Sequence, residues 1–512
     1  MGRHSEPGTH TAHGGGFLPA DAKRGERRAV RKAWKAAADG LVADVVEREN
    51  AVRRAEIEAR RAEYRARTPK GGEKRPWAAR AGQPLRVRQH RATTANLSFA
   101  YPFLADGGLG SAGIYIGRDS HSGASFCYCG FDLYNRRPRM VSNTNMLIAG
   151  NIGWGKTNTA MAIAVRNIPF GRRIVVPGDP KDDWLRLALA LGGQGIRLGR
   201  GLQTRLNPLD GGVKPGGQEQ TVWDSEVWNR RQKLLIALVA TAAPAIAPLE
   251  PLAVAALDLA LAAAVAAQGT PTLPHVALHL GNPDAQQAKE AGYSADLLRE
   301  RGQPVYAVLS SLIGGHLGGL FDRPSTVRFD PDAPMIALGS AALGEDDLLQ
   351  SLVMLCASAW VGSTMANPRY GQRIFVYDEA WRIMSGEAQL DRMNADLRLS
   401  RYYGIANIIA MHALSDPDKV GHSDSAAVKK ARGLLSLCDT RVVFRQAPGE
   451  LDRATQDLAL TAAEREVVAG AGVGEALWKL PTKSFRVQTI LSAREKAMFD
   501  TDHRMNTEGA AE

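Results

Sequence analysis

Cysteine is scarce in this chain: Cys127, Cys129, Cys356 and Cys438 are the four in 512 residues. They are too few and too scattered for a disulfide framework, and Cys127-Tyr128-Cys129 lacks the second ligand pair that a zinc site requires. A reducing, cytoplasmic compartment is therefore expected. An amino-terminal apolar core is also missing, because the first residues are mainly Gly, His, Ser and Thr, and no secretory signal is expected. Long hydrophobic runs are absent as well. The Ala-rich region from Leu234 to Ala267 is interrupted by Pro244, Pro248, Glu250, Pro251 and Asp258, so that no uninterrupted stretch reaches about 18 residues. Packed helices are expected there, and no transmembrane segment. Acidic residues, finally, are short at the beginning of the chain. Residues 1–100 hold 22 Lys/Arg against 11 Asp/Glu, whereas the rest holds 42 of each, so the whole net charge of +11 lies in the first hundred residues.

What is present divides the chain into successive regions. Residues 1–20 offer almost nothing to bury and are expected to be disordered. Residues 21–90 form a basic arm: Asp21 to Arg67 has the Ala, Glu and Arg composition of one or two charged helices, and Thr68 to Pro84 reads as a linker. Such an arm is either a solvated helical face or a contact for nucleic acid, acidic lipid headgroups or an acidic partner. Over 91–140 short extended segments, Gly113–Gly117 and Ser125–Cys129, suggest a small β-rich lead-in, with Phe99, Tyr101, Phe103 and Tyr115 as core residues.

From 141 to 490 buried-strand patterns alternate with helices, at Asn145–Ala149, Arg173–Pro177, Met335–Leu338, Ile374–Tyr377, Ile405–Met411 and Thr440–Phe444. Helices are expected over Asn158–Asn167, Asp346–Val361 and Ala388–Tyr402. This alternation predicts an α/β domain whose mostly parallel sheet is covered on both faces. Ala- and Leu-rich residues 210–330 read as a helical insertion, and 491–512 as a tail.

The organising motif is Gly150-Asn151-Ile152-Gly153-Trp154-Gly155-Lys156-Thr157, which satisfies G-x-x-x-x-G-K-[ST] between a predicted strand and a predicted helix. Glycines let backbone N–H groups approach a phosphate chain closely, at the positive end of the following helix. Lys156 is expected to reach the β- and γ-phosphates, the Thr157 hydroxyl to hold Mg²⁺, and Asn158 to complete the nucleotide site. Asp378 and Glu379 follow the strand Ile374–Tyr377, about 220 residues downstream, as a metal-binding carboxylate and a water-activating one. Asp183, in Gly178-Asp179-Pro180-Lys181-Asp182-Asp183-Trp184, either orients water or caps the helix starting at Trp184. His412 is a candidate γ-phosphate sensor or a structural residue. Arg398, Arg401, Arg441 and Arg445 lie near strand or helix ends, where one or two of them could stabilise developing charge in trans, and Arg401 and Arg441 are the named candidates.

These residues, taken together, resemble a known family. Thr93-Thr94-Ala95-Asn96-Leu97, Tyr101-Pro102-Phe103, Gly113-Ile114-Tyr115-Ile116-Gly117-Arg118-Asp119, the glycine loop and Asp179-Pro180-Lys181 carry the likeness. Asn207-Pro208-Leu209-Asp210, Leu317–Asp322 and Asp378-Glu379-Ala380-Trp381 extend it to about residues 90–480. The chain is similar to the TraC-like ATPases of conjugation and type IV secretion, within the HerA/FtsK group of RecA-like P-loop motors. That resemblance implies a RecA-like core, ATP and Mg²⁺ as cofactors, hexameric assembly, and action with channel proteins at the cytoplasmic face of the cell membrane. A DNA translocase or coupling protein is the alternative, supported by the basic arm, and a nucleotide-binding scaffold is the second alternative.

Overall fold

The computed structural model describes residues 108–500 and a few positions between 51 and 62, apart from 215, 331, 345, 366–370, most of 380–399 and 412–425. The expected disordered start and nearly all of the basic arm therefore lie outside the described residues, as do Trp381 and His412.

Eleven strands are described: β1 Ile114–Asp119, β2 Ser125–Tyr128, β3 Met146–Ala149, β4 Arg173–Asp179, β5 Gln194–Arg197, β6 Met335–Gly339, β7 Arg373–Tyr377, β8 Ile405–Met411, β9 Thr440–Phe444, β10 Glu475–Lys479 and β11 Ser484–Thr489. The chain divides into two compact units, one of them Pro177–Tyr370, the other running to Val176 and resuming at Gly371.

In the second of these the strand order is β2-β1-β11-β10-β9-β3-β8-β7-β4. β3 pairs in parallel with both β8 and β9, and β7 in parallel with β8 and β4. All four residues of β3 and all five of β7 are buried, as strands covered on both faces must be, which is why they read as continuous apolar runs. The strands β10, β11, β1 and β2 continue the sheet with antiparallel pairings. The β-rich lead-in is thus joined to the domain through β1 and β11. Part of the tail is joined too: the helix Ala493–Met498 carries Glu495, which pairs with Arg166 at 2.6 Å.

The other unit contains the parallel pair β5 and β6 and the expected helical insertion, built from the helices Gln220–Ala242, Pro251–Gln268, Leu273–Gly281, Ala285–Glu290 and Ala295–Gly314. Proline at the first turn starts Pro251–Gln268 and Gly269 follows its end. This helix is 18 residues long and apolar enough to cross a membrane by length and composition, and it is packed as expected for this region. Asp258 does not interrupt it, because its carboxylate accepts from Gln232 Nε2 at 2.8 Å. The helix packs against Leu273–Gly281 and Ala295–Gly314 and buries Leu257 and Leu261 completely.

Asn207 is structural in this unit, its amide donating to Pro271 O at 3.0 Å and its Oδ1 accepting from Leu209 N. The expected cap at Asp183 is displaced by one residue: the helix is Asp183–Ala190, with Asp182 at the cap position in a left-handed conformation. Asp179 is buried and accepts from Leu185 N at 2.8 Å, and Asp183 pairs with Arg186 on its own first turn.

Candidate nucleotide-binding site

β3 delivers the chain into the loop Gly150–Gly155, and the helix Lys156–Asn167 begins immediately after it. The glycines are required by shape. Gly153 and Gly155 have φ of 81° and 95°, a region that side chains with a Cβ seldom adopt. A Cβ on Gly150 would lie 2.5 Å from Cβ of Phe444, a buried residue at the end of β9. The neighbouring strands pin the loop further: Asn151 N donates to Arg445 O at 3.1 Å, and Gly474 N to Trp154 O at 3.1 Å. On the first turn of the helix the Thr159 hydroxyl meets that of Thr489 at 3.1 Å.

Lys156 is buried, and its ammonium donates to Asn151 O at 2.7 Å, so its charge is held across the mouth of the loop. Thr157 and Asn158 follow at the helix start and are half-buried. Backbone donors at a helix N-terminus, glycines that admit close approach and a buried ammonium form a donor set suited to a phosphate chain.

The carboxylates arrive from β7. Tyr377 is level with Ile409 of β8, and Ile409 with Leu147 of β3. Asp378 and Glu379 therefore leave β7 at the edge of the sheet where β3 enters the loop. With one strand between β7 and β3, the two chain ends stand about 10 Å apart in the hydrogen-bonding direction, the span of a hydrated metal and a phosphate group. Asp378 is half-buried and Glu379 buried. Glu379 has φ of 59°, and its N–H donates to Asp378 Oδ1 at 3.2 Å. A glutamate held in the left-handed region is strained, and strain of this kind is found where a side chain must be aimed.

The arginines separate by the end of the strand they occupy. Arg401 precedes β8 and donates to Ser142 O, while Arg441, level with Leu147, donates to Cys438 O and Leu458 O at 3.3 Å each. Both bond to carbonyls on segments that approach the beginnings of the parallel strands or lie away from their loop ends, and among the described residues neither is bonded to the loop. Arg398 is exposed on a helical segment. Arg445 alone of the four lies at the loop, its guanidinium 4.9 Å from the centre of the Trp154 ring. Sequence spacing missed Phe444 and Gly474, whose only local signals are an apolar strand end and one glycine among many.

No family model matches the sequence, and no curated protein matches it significantly. Solved structures do. VirB4 of Thermoanaerobacter pseudethanolicus aligns with a TM-score of 0.61 at 18% identity, over 77% of this chain and 100% of that one. The bacterial conjugative coupling protein TrwBdeltaN70 aligns with a TM-score of 0.49 at 14% identity, over 75% of this chain and 89% of that one. TrwB in complex with an ATP analogue gives 0.48 at 15% identity, over 75% and 97%. With its glycine loop, its parallel strands and its acidic strand end in one arrangement, the chain has the RecA-like P-loop fold seen in VirB4.

Proposed function

We propose that this chain is an ATP-hydrolysing motor that energises a conjugative or type IV secretion apparatus. The observation that carries hydrolysis is the emergence of Asp378 and Glu379 from β7 at the sheet edge where β3 enters the glycine loop. The likeness of fold to VirB4 over the full length of that chain supports the choice of apparatus.

In this reading the loop N–H groups and Lys156 bind the phosphates, with Gly150 to Asn158 forming the cradle. Thr157 and Asp378 would hold Mg²⁺, which supplies charge neutralisation on the phosphates when bound. Glu379 takes the proton of the attacking water, and its strained backbone aims the carboxylate. The product is ADP and phosphate.

The motor works as a homo-oligomeric ring, a hexamer by family likeness, peripheral at the cytoplasmic face of the membrane and bound to channel proteins. Arg401 and Arg441, bonded elsewhere than to the loop of their own chain, would serve a neighbouring subunit's site. The sensor role of His412 belongs to the same proposal.

The basic first hundred residues favour a second reading, a DNA translocase or coupling protein. ATPase activity measured with and without double-stranded DNA, on the full chain and on a chain lacking residues 1–90, separates the two. The secretion reading expects hydrolysis that DNA barely changes, and weak DNA binding that vanishes with the arm and falls by roughly one log-log unit per phosphate contact as salt rises. Strong stimulation that survives deletion of the arm would establish the translocase instead. Absence of hydrolysis in both forms would leave a nucleotide-binding scaffold.

A further inference from the structure

We infer that Arg445 is an additional phosphate-binding residue of the nucleotide site, acting within its own subunit and held on the indole of Trp154 until nucleotide arrives. The inference rests on the reading of Gly150–Thr157 as a phosphate loop.

Two features of the geometry fix Arg445 to the loop. Its carbonyl accepts from Asn151 N at 3.1 Å, tying the end of β9 to the second residue of the loop. Its guanidinium lies 4.9 Å from the ring centre of Trp154, the fifth residue of the loop, between Gly153 and Gly155. Strand end and loop are thus joined by a backbone bond on one side and by a side-chain stack on the other. Phe444, the preceding residue, lies against Gly150, so the strand end follows the loop closely.

The side chain is also uncommitted. Arg445 is exposed, and among the described residues its guanidinium makes no hydrogen bond and no ion pair. Compare Arg486, which is bonded to Glu475 through both Nε and Nη2. A guanidinium resting on a half-exposed ring is held weakly, whereas phosphate oxygens offer it short, charge-assisted bonds, often in pairs. A polyanion entering the loop beside Trp154 would therefore draw Arg445 off the ring.

The next residue adds a second feature of this strand end. Gln446 is buried, its Nε2 donates to Phe444 O at 3.2 Å, and its Oε1 has no partner. Buried acceptors are rarely left unsatisfied in finished structures. The end of β9 thus carries an uncommitted cation at the loop and, next to it, a buried amide whose oxygen is unpaired.

Isothermal titration of the full chain with ATP, a non-hydrolysable ATP analogue and inorganic tripolyphosphate tests the inference. Arg445→Ala is expected to weaken tripolyphosphate and nucleotide alike by roughly tenfold or more, and to flatten the dependence of affinity on salt. Arg445→Lys should recover part of that loss. Nucleotide should also change a fluorescence component that disappears in Trp154→Phe. A merely structural arginine would move none of the salt dependence. Unchanged tripolyphosphate affinity in Arg445→Ala overturns the inference, and a loss confined to nucleotide would place Arg445 on the base instead. Lys156→Ala distinguishes the two levels of failure: if wild type binds no nucleotide, or Lys156→Ala binds it equally well, the phosphate-loop reading falls and this inference falls with it.

Discussion

Substitution of Glu379 tests the site and the backbone together. The residue has φ of 59°, in a region that costs a residue with a Cβ about 1–2 kcal/mol and costs glycine nothing. At an ordinary position glycine is less stable than alanine by roughly 0.5–1 kcal/mol, through the greater entropy of its unfolded chain. At position 379 the order should reverse. Relief of the strain outweighs the entropy term, and Glu379→Gly is expected to be more stable than Glu379→Ala by about 0.5–1 kcal/mol. Both variants lose the buried carboxylate, so its contacts cancel in the comparison. Urea denaturation of the two variants, followed by circular dichroism, gives the difference directly. Alanine more stable than glycine would refute the left-handed conformation on which the aim of the carboxylate depends. Neither variant should turn over ATP. Glu379→Gln, which keeps shape and backbone, should bind nucleotide within about twofold of wild type while losing turnover by roughly 10²–10⁴-fold. Wild-type turnover in Glu379→Gln would remove Glu379 as the water-activating base.

Gly150→Ala places a methyl group 2.5 Å from Cβ of Phe444 and should destabilise the chain by about 1–3 kcal/mol, with loss of nucleotide binding. Gly153→Ala meets no atom within 4 Å and should cost only the roughly 1 kcal/mol of its φ of 81°; thermal denaturation of the pair checks the order. The Arg486 guanidinium, helped by the Ser120 hydroxyl and Gly472 N–H and opposed by burial, holds the Glu475 carboxyl at about 2. A depressed carboxyl stabilises the fold above its unfolded value near 4.5, and that contribution, about 3 kcal/mol at most, is lost as pH falls towards 2. The stability gap between wild type and Glu475→Gln should therefore close between pH 5 and pH 2, and a gap constant over that range would exclude the ion pair as its source.

Much of the fold could be read locally, for identifiable reasons. β3, β4, β6, β7, β8 and β9 are apolar runs because parallel strands bury both faces, and each lies where its run predicts it. β5, β10 and β11 escaped notice because polar residues are mixed into them, as in Gln194-Gly195-Ile196-Arg197. The Pro251–Gln268 helix lies in the Ala-rich region where packed helices are expected, and only the folded chain shows that Gln232 satisfies its Asp258.

The sequence by itself determined the glycine loop, its lysine and threonine, and the carboxylate pair, since each is a fixed spacing next to a strand pattern. Only the tertiary structure decided that β8 lies between β3 and β7, bringing residues more than two hundred positions apart to one edge. It alone decided that Phe444, Arg445 and Gly474 close around the loop, and that Arg401 and Arg441 are bonded elsewhere. Local pattern records which face of a strand is buried; strand order, and hence which strand ends meet, is set by pairings between distant segments that leave no mark on either one alone.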